Sequence, residues 1–175
     1  MVLGMSLASY TAVHVVISLI AIASGLVVLY GLLKAKPLNG TTALFLTTTV
    51  LTSVTGFGFP FMGVTPAIKL GIISFVLLAI AVIARYPLRM SGIWRMAYVI
   101  SAIMALYSNV FVLIVQSFEK VPALKAVAPT QKEAPFVAAQ VFVLAVFVVL
   151  TYLAAKRFRA EPVTIAKSVG KAASI

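Results

Sequence analysis

The chain has 175 residues, 63% of them hydrophobic and only 10% charged, whereas a soluble domain is roughly 45–50% apolar and about 25% charged, so the composition excludes an ordinary soluble fold. The net charge of +11, from 14 Lys and Arg against 3 Asp and Glu, falls between apolar runs, as membrane topology determinants do, and no nucleic-acid partner is expected. Cysteine is absent, which removes disulfides, thiolate metal sites and thiol redox chemistry.

A bilayer span needs about 20 predominantly apolar residues. Five such runs occur, over residues 10–33, 42–61, 67–84, 96–118 and 136–155. The expected fold is therefore all-α: a polytopic membrane protein, a bundle of five transmembrane helices filling residues 1–155, with a basic tail over 156–175. Residues 1–10 contain no Lys or Arg, so the first run reads as a span and not as a cleavable signal peptide. The second run is dense in hydroxyls and ends in Gly56-Phe57-Gly58-Phe59-Pro60. Its hydroxyls need partners away from water, so it is expected to be the interior helix around which the others pack. No run contains an internal proline, and Pro60 closes the second, as span boundaries require. Residues 119–135 form the sizeable loop, expected to be an ordered but irregular cap. The tail begins Lys156-Arg157-Phe158-Arg159, a juxtamembrane anchor for anionic lipid at the cytoplasmic face followed by disorder.

Loop charge sets orientation. Lys34, Lys36, Arg85, Arg89, Arg95, Lys156, Arg157, Arg159, Lys167 and Lys171 fall to one side, and Lys69, Lys120, Lys125 and Lys132 to the other. Ten against four places the N-terminus outside and the C-terminus in the cytoplasm, in a cell membrane of the bacterial inner-membrane type. Tyr10, Tyr30, Tyr86, Trp94, Tyr98 and Tyr152 lie near span ends, where an aromatic belt is expected. Tyr107 lies near mid-span, and its phenol should bond a hydroxyl of the second helix.

With about 1.5 Å of rise per residue, this topology puts His14, Asn109, Gln116, Gln140 and the glycine–phenylalanine break in the outer half of the membrane. His14, Ser18, Ala21 and Gly25 share one helical stripe; Ala102, Ala105, Asn109 and Gln116 share another; Thr48, Thr52, Thr55 and Phe59 share a third. Facing one another, these stripes would line an outward-facing pocket. Its candidate ligand residues are His14, Ser18, Thr52, Thr55, Phe57, Phe59, Tyr107, Asn109, Gln116 and Gln140. Phe57, Phe59 and Phe61 would frame the mouth.

Intramembrane polar groups are costly and often functional, but they also serve as interhelical hydrogen bonds. The three carboxylates, Glu119, Glu133 and Glu161, all lie outside the spans, so neither paired-carboxylate catalysis nor a buried proton relay is available. No catalytic residue and no metal site is expected. The leading expectation is binding or transport of a neutral or weakly polar small molecule or lipid. The alternative is a non-catalytic structural or accessory subunit, self-associating or docked on a partner membrane subunit. A second alternative is a redox protein holding haem or quinone through His14, the single histidine, which offers only one axial ligand.

Overall fold

The computed structural model describes residue 2 and residues 4–60 and 66–158. The described residues fold into six helices: α1 (Leu7–Leu33), α2 (Asn39–Phe57), α3 (Pro66–Arg85), α4 (Ile93–Lys120), α5 (Pro122–Val127) and α6 (Ala134–Arg157). The long helices alternate in direction. The start of α1 meets the end of α2 through Tyr10 and Thr55, the end of α2 meets the start of α3 through Phe57 and Gly71, the end of α3 meets the start of α4 through Arg85 and Tyr98, and the end of α4 meets the start of α6 through Phe118 and Phe136. The far end of the expected second span, with Phe61, and the tail from Arg159 lie outside the described residues.

α1, α3 from Ile68, α4 and α6 are each long and apolar enough to cross a bilayer, the make-up of a multi-pass membrane protein. α2 is 19 residues long, but eight of them are Thr or Ser, and these hydroxyls lower its apolarity. Three of them are satisfied locally: Thr48, Thr49 and Thr55 donate to the carbonyls of Leu44, Phe45 and Leu51, each at 2.7 Å, the back-bonding that lets a hydroxyl lie inside a helix bundle.

The hub is α4, not α2. Half of α4's apolar span is buried, against 28% for α1 and α3 and 11% for α6, and α4 packs on α1, α2, α3, α5 and α6. Small residues explain this position. Ser101, Ala102, Ala105 and Ser108 are all buried on α4, and short side chains let neighbouring backbones approach closely where lipid offers no hydrophobic drive to pack. The same logic holds at Gly25 on α1, where an added Cβ would lie 2.5 Å from Leu106 Cδ1 and 2.8 Å from Phe45 Cε2. The core that results joins α1, α2, α3, α4 and α6.

The helix ends are built from local chemistry. Ser6 caps α1, its hydroxyl accepting the Ser9 N–H at 3.1 Å, as an N-cap serine does. At the other end, Ala35 takes φ +53°, while its N–H bonds Leu32 O and that of Lys36 bonds Gly31 O, a Schellman turn without the usual glycine. Arg95 Nη1 donates to Ala155 O at 3.1 Å and to Phe158 O, so a cation closes the C-terminus of α6. Pro122 begins α5 inside the expected irregular cap.

The aromatic belt is only partly as expected. Tyr30, Tyr86 and Tyr152 are exposed, and Lys34 and Lys156 lie over the rings of Tyr30 and Tyr152. Tyr10 and Tyr98, at 3% and 0% exposure, are inside the bundle.

Candidate functional site

The densest polar contact between helices joins the start of α1 to the end of α2. Tyr10 Oη donates to Thr55 O at 2.8 Å, and His14 Nδ1 lies 2.7 Å from Thr55 Oγ1. The Thr55 hydroxyl has one proton and directs it to Leu51 O at 2.7 Å, so it receives from histidine. That assigns the His14 tautomer: Nδ1 carries the proton and Nε2 is the acceptor. Nε2 has no hydrogen-bond partner among the described residues. Phe59 sets its edge against both rings, with centroids 5.1 Å from Tyr10 and 5.3 Å from His14. Gly58 makes this convergence possible, because a Cβ there would fall 2.0 Å from Tyr10 Oη. Ser18, one turn along α1, donates to His14 O at 2.7 Å.

The remaining candidates do not converge on this cluster. Asn109 Nδ2 reaches Thr49 Oγ1 at 3.4 Å, near the bundle centre. Thr49 and Thr55 are six residues apart, which is about 9 Å along α2 and a different helix face, so His14 and Asn109 engage α2 at separate levels. Phe57 turns away to α3, stacking on Phe75 at 5.6 Å. Thr52 is half-buried with an unpartnered hydroxyl. Gln140 Nε2 donates to Phe111 O at 3.3 Å, and its Oε1 is buried without a partner. Gln116 is exposed. Tyr107 packs between Phe111 and Phe147, on the α6 side of α4. The bond expected from its phenol to α2 is not formed, because the ring projects from another face of α4.

An open space lies elsewhere. A groove of about 380 Å³ separates α2 from α3, lined by Leu46, Thr47, Val50, Leu51, Val82 and Tyr86. None of these is among the residues expected to form a pocket. The described residues hold no group of three or more His, Cys, Asp and Glu side chains suited to a metal.

The sequence pattern also does not reveal the inward position of Tyr10, expected in the aromatic belt, or a buried arginine. Arg85, at 8% exposure, donates through Nη2 to Asn39 Oδ1 at 2.7 Å. The available signal was its position as a lone cation at the tip of an apolar run, which equally suits a loop charge.

No family model, curated protein or solved structure matches the chain.

Proposed function

We propose that the chain is a five-span integral membrane protein that works without covalent chemistry, as a structural or accessory subunit of a membrane complex. The observation that carries this reading is where the polar side chains are spent. His14 is bonded to Thr55, Asn109 to Thr49, Gln140 to Phe111 O and Ser18 to His14 O, so they fasten helices or back-bond and do not line one shared cavity. On this reading α2 is the fifth span, with the hydroxyls of Thr48, Thr49 and Thr55 bonded back to its own carbonyls. The ten-to-four distribution of Lys and Arg supports an outside N-terminus and a cytoplasmic C-terminus in a bacterial inner membrane.

The decisive experiment is purification of the tagged full chain in a mild detergent after cross-linking in the membrane. A partner subunit, or a second copy, at fixed stoichiometry is the expected result. A monomer with no partner would refute the subunit reading. Reporter fusions after Phe158 and within residues 121–133 should report opposite sides of the membrane, and fusions reporting the same side would refute the five-span topology.

The open Nε2 of His14 beside Phe59 supports a second reading, a small-molecule contact at the outer end of α1 and α2, with haem or quinone among its ligands. An acceptor nitrogen next to aromatic rings is a common element of ligand sites. Mass spectrometry and an absorption spectrum of the purified protein test it. A bound chromophore or metabolite lost on His14→Ala, with the fold retained, would favour this reading over the first.

A further inference from the structure

Arg85 is a buried cation without a counter-charge among the described residues. Its Nη1 faces Met90 Sδ at 3.9 Å, and its Cζ lies 5.0 Å from the Tyr98 ring centroid and 5.9 Å from that of Tyr86. The one ion pair among the described residues is Lys120–Glu119, at the opposite end of the bundle. Asn39 is neutral, and the carbonyl end of α3 offsets only about half an elementary charge. A desolvated, unpaired guanidinium is costly, so a further anion is called for.

The surroundings have the chemistry of a phosphate site. Arginine offers five donors, and Asn39 occupies one of them. Tyr98 is fully buried, and its hydroxyl faces Thr42 and Arg85 without forming a hydrogen bond of normal geometry. Arg85, Thr42 and Tyr98 do not themselves line the α2–α3 groove, but sequence neighbours of Arg85 and Thr42 do. Tyr86, which lines it, directly follows Arg85, and Ala43, which also lines it, directly follows Thr42. From Ala43 to Leu51 the groove follows α2 for about 12 Å, walled by Leu46, Val50 and Val82.

We propose that Arg85 binds the phosphate of an anionic phospholipid whose acyl chain lies in the α2–α3 groove. A free phosphate would use the arginine but not the apolar groove, and a zwitterionic headgroup would bring its own cation to a site that already has one. The inference rests on the chain lying in a bilayer, but not on the number of spans, their orientation or the subunit reading.

The test is thermal unfolding of the full chain, purified in an uncharged detergent, with added phosphatidylglycerol, phosphatidylcholine or inorganic phosphate. Phosphatidylglycerol should raise the Tm by several degrees, phosphatidylcholine should not, and inorganic phosphate should have a smaller effect. Arg85→Gln should abolish the phosphatidylglycerol shift. Val50→Trp, which fills the groove and leaves the cation in place, should reduce that shift while sparing any response to inorganic phosphate, and it keeps the test open if Arg85→Gln does not fold. Lys36→Gln, which removes an exposed cation at the same end, should leave the shift intact. Equal shifts with the two lipids would overturn the proposal, as would loss of the shift in Lys36→Gln to the same extent as in Arg85→Gln. Glu161 lies outside the described residues. If the wild type shows no lipid shift and Glu161→Gln destabilises it as Arg85→Gln does, the counter-charge is internal and the lipid site does not exist.

Discussion

Substituting Gly58 by alanine isolates the contact between α1 and α2. Gly58 has φ −76° and ψ −9°, a conformation alanine adopts freely, so the backbone alone predicts a gain of about 0.4–1 kcal/mol from a stiffer unfolded chain. The surroundings predict the reverse. The new methyl would lie 2.0 Å from Tyr10 Oη, 2.9 Å from Tyr10 Cζ and 3.3 Å from Thr55 O, so the phenol must leave. Tyr10 is only 3% exposed, and a buried hydroxyl deprived of its acceptor costs about 1–3 kcal/mol. Disturbing the edge contact with Phe59 adds about 0.5–1.5 kcal/mol. After the backbone gain is subtracted, Gly58→Ala should destabilise by about 0.5–4 kcal/mol, toward the lower figure if water reaches this end of the bundle. Reversible unfolding in mixed micelles measures this directly. The control is the Tyr10→Phe background. Once the hydroxyl is gone, the same glycine substitution should cost less than half as much, because the closest contact is no longer present. A Gly58→Ala protein as stable as wild type, or one equally destabilised in both backgrounds, would refute the geometry assigned to Tyr10, Thr55 and Gly58.

Other substitutions probe separate parts of the bundle. A double-mutant cycle of His14→Ala with Thr55→Val should show a coupling of about 0.6 kcal/mol and at most about 1.7, the range for interhelical hydrogen bonds in membranes; additive single effects would mean that the bond is absent. Gly25→Ala should cost about 1–3 kcal/mol by overpacking against Leu106 and Phe45, and recovery in a Leu106→Ala background would confirm the cause. Ala35→Gly should raise stability by up to about 1 kcal/mol, since Ala35 bears the left-handed strain of the Schellman turn; a loss of stability would show that this turn is not formed. In the loop before α6, desolvation pulls the Glu133 carboxyl upward, but hydrogen bonds from Thr130 and from the Lys132 N–H outweigh it and hold the group below its usual range. A depressed carboxyl stabilises above its unfolded pKa, and the benefit is lost as pH falls through the folded value. Amide exchange at Thr130 and Lys132 should therefore lose protection on acidification, and Glu133→Gln should remove that dependence.

Much of the architecture was legible in the chain itself. Long apolar runs without internal proline determined the helices, because unpaired backbone in lipid is too costly for any other spanning form. The prolines and the Gly56–Pro60 break marked ends that fall within a few residues of those observed, α2 stopping at Phe57. Loop charge grouped Arg85 with Arg95, and the alternating helices bring Arg85 to Asn39 and Arg95 to the end of α6 at one end of the bundle.

Helix rotation, and with it the partner of each polar group, was decided only in three dimensions. A helix that is apolar all round carries almost no facial signal, and lipid is as apolar as the interior, so composition does not separate inward from outward faces. α2 therefore looked central because its hydroxyls demanded partners, whereas Thr48, Thr49 and Thr55 meet that demand from its own carbonyls and α4 is the hub. Tyr107 looked poised to reach α2 and instead faces Phe147. His14 and Asn109 shared a depth in the sequence, but they meet α2 at Thr55 and Thr49 on different faces. Arg85 read as one more loop cation. The crossing of α2, α3 and α4 buries it beside Tyr98, and no periodicity within α3 could specify that crossing.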